Sequence, residues 1–104
     1  MTQQTKIGKV ATTISTNDKG QTQVIYHSTP VVTFDDKVII LKTGGWRTNT
    51  TKTRMNQTSH TFKLDIVVYQ KDFDWFVVRK IKNTDDYDWK HPIPFDEHTL
   101  TLNR

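Results

Sequence analysis

Residues 64–81, LDIVVYQKDFDWFVVRKI, decide the fold of this 104-residue chain. Residues 64–70 alternate between an apolar face and a face that carries Asp65, Val67 and Tyr69, which is typical of a strand with one buried face. An acid–aromatic–acid turn at 72–74 follows, and residues 75–81 return as a second strand. The stretch therefore predicts an antiparallel hairpin. The side chains expected on its buried face are Leu64, Ile66 and Val68.

A second hairpin is predicted nearer the N-terminus. Residues 31–34 form an apolar strand, and residues 38–42 form the returning strand. The turn between them, at residues 35–37, begins with two aspartates, which favour tight turns. A shorter strand is predicted at residues 22–27.

Residues 49–61 are the segment with the best helical pattern. Met55, Ser59 and Phe62 recur at spacings of four and three residues, which places them on one narrow apolar face. The hydroxyl of Thr48 is positioned to cap the N-terminus of this helix. Because the many threonines lower helix propensity, packing against the sheet must stabilise the helix, and a strand–turn interpretation stays open.

Length and composition predict one folded domain. A chain of 104 residues is close to the commonest domain size, and its 11% aromatic residues supply large side chains for a core. With a last short strand at 98–102, we predict a single α+β domain over residues 22–104. We expect a mainly antiparallel sheet of about five or six strands with one helix packed on it, in the order β-β-β-α-β-β-β. Residues 1–21 are either a flexible N-terminal segment or a weak edge strand.

Several classes of function find no support in the residues. The chain has no cysteine, so a disulfide framework, a cysteine zinc site and a thiol nucleophile are excluded. Its histidines lack the paired spacing of a zinc helix, and no glycine-rich phosphate loop is present. We expect no enzymatic activity, no metal and no cofactor. The apolar runs fall short of the roughly 20 residues of a membrane span and no signal sequence is evident, which predicts a cytoplasmic protein.

The net charge of +4 is unevenly distributed. Residues 37–64 carry six basic side chains and no acid, whereas residues 65–104 carry more acids than bases. Hydroxyl and amide side chains surround the cations, and such groups contact phosphates. The sequence therefore predicts non-enzymatic nucleic-acid binding, in which Trp46 either stacks on a base or anchors its loop in the core. The predicted phosphate contacts are Lys42, Arg47, Lys52, Arg54 and Lys63.

Two other stretches, at 72–76 and 85–89, interleave acids with aromatic rings. We expect Trp75 and Phe76 to fill the core while the acids stay in water. Tyr87 and Trp89 are equally consistent with a buried and with an exposed position. If they are exposed, they suit a protein partner, because large aromatic side chains anchor protein interfaces. Binding of a protein partner is therefore the alternative prediction, and the sequence leaves the oligomeric state open.

Five short motifs are spread along the chain from residue 44 to residue 77. They are GGWRT at 44–48, TK at 51–52, RMNQ at 54–57, YQK at 69–71 and DWFV at 74–77. In these motifs the chain resembles small proteins of unassigned function that tailed bacteriophages encode. The resemblance covers roughly residues 24–102 and does not include the first 20. The resemblance implies a phage accessory protein in the cytoplasm of the host cell, where the alternative partner is a host protein. It implies no activity and transfers no site residue.

Overall fold

Eight strands and one helix make up the part of the chain that the computed structural model describes. That part comprises residues 12–26, 28–44, 49–95 and 98–104. The elements are β1 (Thr12–Thr16), β2 (Thr22–Tyr26), β3 (Thr29–Phe34), β4 (Val38–Lys42), α1 (Asn49–Phe62), β5 (Ile66–Lys71), β6 (Asp74–Arg79), β7 (Ile93–Pro94) and β8 (Thr99–Asn103). The predicted α+β class is confirmed, and there is one strand more on each side of the helix than the sequence predicts.

The strands form two antiparallel sheets, whereas the sequence predicts one sheet of about five or six strands. The first sheet has the order β1-β2-β3-β4-β8 and the second has the order β5-β6-β7. In the first sheet the last strand returns to pair with β4, so that Leu100 lies opposite Leu41. The sequence does not reveal this division, because strands so far apart in the chain pair without any local signal.

Both predicted hairpins are present, and the geometry of their turns explains why. Between β3 and β4, Oδ1 of Asp35 accepts hydrogen bonds from the backbone N–H groups of Lys37 (2.7 Å) and Val38 (2.9 Å). Between β5 and β6, Asp72 and Phe73 both have left-handed backbones, with φ angles of 51° and 72°. Such a pair is what the two-residue type I′ turn requires. Each turn therefore brings its two strands into register.

One apolar core joins the two sheets and the helix. Met55 of α1 and Trp75 of β6 are enclosed, and the ring of Phe95 packs edge-on against Trp75 with centroids 6.1 Å apart. The predicted core position of Trp75 is confirmed. Phe76, which the sequence also places in the core, lies on the opposite face of β6 and stacks on Tyr69. The reason is that consecutive side chains of a strand point to opposite faces.

The predicted helix and its predicted inner face are confirmed. Met55 and Ser59 are buried, and Phe62 packs against the core with its ring centroid 4.9 Å from that of Phe34. The predicted cap, Thr48, lies outside the described residues. In the described residues no helix is long and apolar enough to cross a membrane.

Side chains of α1 hydrogen-bond to the backbone along the outer edge of β5. Nδ2 of Asn56 donates to the Val68 carbonyl, and Oδ1 accepts from the Val68 N–H, both at 2.8 Å. Oγ of Ser59 donates to the Ile66 carbonyl at 2.7 Å and accepts from the Ile66 N–H at 3.0 Å. These two side chains take the place of a neighbouring strand, because they satisfy the groups that a sheet partner would pair.

Removing either edge contact is expected to destabilise the fold. Asn56→Ala or Ser59→Ala leaves one N–H and one carbonyl of β5 without its partner, and we expect the free energy of unfolding to fall by about 1–3 kcal/mol. Thr53→Ala, on the exposed side of the same helix, is the control and should not lower it, because alanine favours a helix. Urea denaturation followed by circular dichroism measures these values. An Asn56→Ala variant as stable as the parent chain would contradict this role of Asn56.

Asp35 is expected to make the stability of the fold depend on pH. Backbone N–H groups of Lys37 and Val38, and then the side-chain amide of Gln21, donate to its carboxylate and hold its pKa below the ordinary value of 3.8. Such a group stabilises the fold above its unfolded pKa, and this contribution is lost as the pH falls through the lower folded pKa. In the variant Asp35→Asn the free energy of unfolding should therefore fall less steeply as the pH decreases below about 4.

Urea denaturation of the parent chain and the variant across this pH range tests the role of Asp35. The matched control is Asp36→Asn, which removes an exposed carboxylate from the same turn. The role given to Asp35 is wrong if both variants reduce the pH dependence of the free energy of unfolding equally.

Candidate functional site

The two predicted phosphate contacts near the middle of α1 lie on opposite sides of the helix. Lys52 faces the second sheet, with its Nζ atom 3.5 Å from Oε1 of Gln70 and 5.8 Å from the ring centroid of Trp75. Arg54 faces the first sheet, where its guanidinium carbon lies 5.5 Å from the ring centroid of Tyr26. The separation follows from helix geometry, because residues two positions apart differ by about 200° in direction.

Between these cations, α1 presents a row of polar side chains to solvent. This outward stripe consists of the exposed residues Asn49, Thr53, Gln57 and His60. Its members recur every three or four residues and therefore share one face. Around the helix axis, the centre of this face lies about 100° from Lys52 in one direction and about 100° from Arg54 in the other. An open recess of 390 Å³ lies along the same face and includes Asn56 and Thr61.

The stretch of sequence that contains α1 is basic. The chain has no acid from residue 37 to residue 64, so no carboxylate of the helix repels an anion. Acids return directly after the helix at Asp65 and in the exposed β5–β6 turn at Asp72 and Asp74. The positive charge in the sequence is therefore concentrated in α1 and in the residues just before and after it.

Of the other predicted contact residues, one ends β4, one follows α1, and two lie outside the described residues. Lys42 is exposed at the end of β4, which leads toward the first turn of α1. Lys63 is exposed directly after α1 and has a left-handed backbone, with a φ angle of 56°. About 16 Å of helix separates Lys52 from Lys63, so a ligand that contacts both must be extended. Trp46 and Arg47 lie outside the described residues, and their roles stay predictions.

A second candidate surface lies on the outer face of the second sheet. Tyr69 of β5 stacks on Phe76 of β6 with ring centroids 5.6 Å apart, and it meets the edge of Trp89 at 5.3 Å. These three rings are the aromatic surface. Trp89 is 56% exposed, whereas Tyr87 is half-buried and pairs with Lys80 in an isolated bridge. Of the two positions that the sequence left open, Trp89 is therefore the exposed one.

Phe73 adds a further exposed ring at the tip of the β5–β6 hairpin. It is 88% exposed and has a left-handed backbone with a φ angle of 72°, which is costly for a bulky side chain. Residues 71–91 carry five basic and five acidic side chains, so this part of the protein has no net charge. Recognition there would depend on apolar contact and not on attraction between charges.

The contact residues predicted from the sequence include the cations of α1 and Trp89, but not the outward stripe or the pair Tyr69–Phe76. Both had a signal in the sequence. The stripe has helical spacing on the face opposite Met55, and the period of two in the second hairpin puts Tyr69 on the face away from the core. The pairing of Tyr69 with Phe76 then follows from the register of that hairpin.

The fold and its surfaces define a small α+β domain with a basic, polar helix and a separate group of exposed aromatic rings. The family model of the Kyanoviridae Gp96 protein matches residues 1–98, and the chain belongs to this family. Kyanoviridae are tailed bacteriophages, so the prediction of a phage protein family is confirmed, whereas the five motifs as its signature stay a prediction. The match also includes the first 20 residues, which the motif resemblance leaves out. No curated protein and no solved structure matches the chain.

Proposed function

We propose that this phage-family protein binds nucleic acid without catalysing a reaction, and that α1 is the contact element. The observation that carries the proposal is the outward stripe between Lys52 and Arg54, in a stretch of chain without acids. Lysine and arginine contact phosphates, and hydroxyl and amide groups add hydrogen bonds to phosphates and sugars. One rigid element brings all of these groups together.

Contacts within the protein orient both flanking cations and leave donors for a ligand. Lys52 and Arg54 each lie over an aromatic ring. Arg54 also donates from Nε to Oγ1 of Thr12 (3.0 Å) and from Nη1 to Oε1 of Gln57 (3.3 Å). A guanidinium has five N–H donors, so these two hydrogen bonds within the described residues do not exhaust it. Side chains held in this way lose less entropy when they bind a phosphate.

Cations that precede and follow α1 in the sequence extend the proposed contact. Lys42 and Lys63 are exposed, and Arg47 precedes the helix in the sequence. The stretch from Asn49, where α1 begins, to Lys63, just after its end, covers about 20 Å, which is about six phosphate spacings along one strand. A nucleic acid that follows α1 would therefore meet several cations at once, which produces affinity that falls steeply with salt.

Neutralising two of these cations is expected to weaken binding and its dependence on salt. The double variant Lys42→Gln with Lys52→Gln should make the slope of log affinity against log salt on duplex DNA shallower by about 1.8, because each phosphate contact contributes about 0.9. Fluorescence anisotropy of labelled DNA and RNA at about 50 and about 200 mM salt measures the change.

The matched control removes the same charge from another surface. It is Lys82→Gln with Lys90→Gln, two exposed lysines in the connection after β6. An equal effect of both double variants would show that only net charge matters and that α1 is not the site. Absence of binding to any nucleic acid at the lower salt concentration would overturn the proposal itself.

A second candidate function is binding of a host protein through the aromatic surface. The observation that favours it is the exposure of Trp89, whose ring is held edge-on against Tyr69, together with the exposed ring of Phe73. Tryptophan and tyrosine are the side chains that most often supply the binding energy of protein interfaces. Rings that are already packed against each other also lose little freedom on binding.

Trp89 should then be essential for capture of a host protein. We expect Trp89→Ala to reduce affinity for such a partner by about 30-fold or more, which corresponds to about 2 kcal/mol. Affinity capture from host-cell lysate, followed by titration of the captured protein, measures this effect. Ile81→Ala, at a 44% exposed apolar residue away from the three rings, is the control. A partner that binds the parent chain and Trp89→Ala equally would exclude this surface.

A further inference from the structure

The side chains of α1 that reach solvent have two kinds of chemistry, and each kind has its own place: exposed neutral groups lie in the centre and half-buried cations lie at the borders. Neutral hydrogen-bonding groups form the outward stripe along the centre, and the cations Lys52 and Arg54 lie along its two borders. If a ligand offered only phosphates, cations in the centre of this helix face would contact it equally well. The sorted arrangement fits a ligand that is anionic on both sides and offers neutral donors and acceptors between them, as a groove of a nucleic-acid duplex does.

We propose that α1 enters the major groove of B-form DNA, with the outward stripe facing the base edges and the two flanking cations facing the two phosphate backbones. This inference rests on the proposed nucleic-acid binding and specifies its ligand. The major groove of B-form DNA is about 12 Å wide, and an α-helix with its side chains is about 10–12 Å across. The stripe from Asn49 to His60 is about 16 Å long, enough for about four or five base pairs.

The side chains of the stripe are of the types that distinguish bases. The amides of Asn49 and Gln57 each combine a donor with an acceptor, which matches the N6 and N7 edge of adenine. Thr53 supplies a hydroxyl and a methyl group, and a methyl group can contact thymine. Nη1 of Arg54 donates to Oε1 of Gln57 at 3.3 Å, which orients this amide and connects the border of the face with its centre.

The support beneath α1 makes the face rigid. Asn56 and Ser59 fix one side of the helix to the backbone of β5, and Arg54 fixes the other side to Thr12 and Tyr26. Rotation of α1 about its axis would break contacts on both sides. The outward stripe is therefore held in one orientation before a ligand arrives, which is a condition for reading base edges.

The same geometry excludes other nucleic acids. The major groove of A-form RNA is deep and narrow and does not admit a helix, and a single strand has no second backbone for the opposite cation. Selectivity for duplex DNA over duplex RNA of the same sequence is therefore a direct consequence of the proposal. Binding that depends on phosphates alone would show little such preference.

Selection from a random duplex DNA pool, followed by anisotropy on the selected sequence, tests the inference. We expect an enriched site of about four or five base pairs that contains adenine, bound more tightly than duplex RNA or single strands of the same sequence. A triple variant tests the outward stripe: Asn49→Ala, Thr53→Ala and Gln57→Ala in one chain. It keeps the net charge of the parent chain, and alanine favours a helix. It should lose the preference for the selected site by about fivefold or more for each amide contact and keep the salt dependence.

Each result separates the inference from the proposed function. If the pool yields no enriched site, or if the triple variant retains the preference while circular dichroism shows it folded, groove reading is wrong. Salt-dependent binding that Lys42→Gln with Lys52→Gln weakens would in that case still support the proposed function. Equal affinity for duplex RNA also overturns groove reading. Absence of binding to every nucleic acid overturns both, and the single variant Gln57→Ala provides the same test if the triple variant does not fold.

Discussion

The hydrogen bonds from Asn56 and Ser59 to the backbone of β5 are the constraint on which the rest of the structure depends. They let a helix close the edge of a sheet, a place that another strand would otherwise take. They also set the rotation of α1 about its axis. With that rotation, Met55 enters the core between the sheets, and the opposite side of the helix faces solvent.

The same constraint gives Lys52 and Arg54 two roles. Each side chain lies against an aromatic ring of one sheet and so contributes to holding the helix in place. Each also borders the outward stripe, where its charge is available to an anion. The structural contact and the proposed binding contact are therefore linked. Replacing either cation should therefore change stability and affinity together.

The aromatic surface depends on a different constraint, the register of the β5–β6 hairpin. The type I′ turn at Asp72 and Phe73 aligns the two strands so that Tyr69 lies opposite Phe76, and both point away from the core. Trp89 then packs on Tyr69 from the connection that follows β6. Residues 71–91, which contain two of its three rings, have no net charge, unlike α1. The domain thus offers two surfaces of different chemistry, one suited to anions and one suited to apolar contact.

The sequence by itself determined the features that depend on neighbouring residues: both hairpins, the helix, its inner face and the placement of positive charge without acids. Period, turn chemistry and spacing are local, so they are readable without the fold. Only the tertiary structure decided the division into two sheets, the return of β8 to β4 and the aromatic rings that Lys52 and Arg54 contact. These features depend on contacts between distant parts of the chain, whose pairing no local pattern specifies.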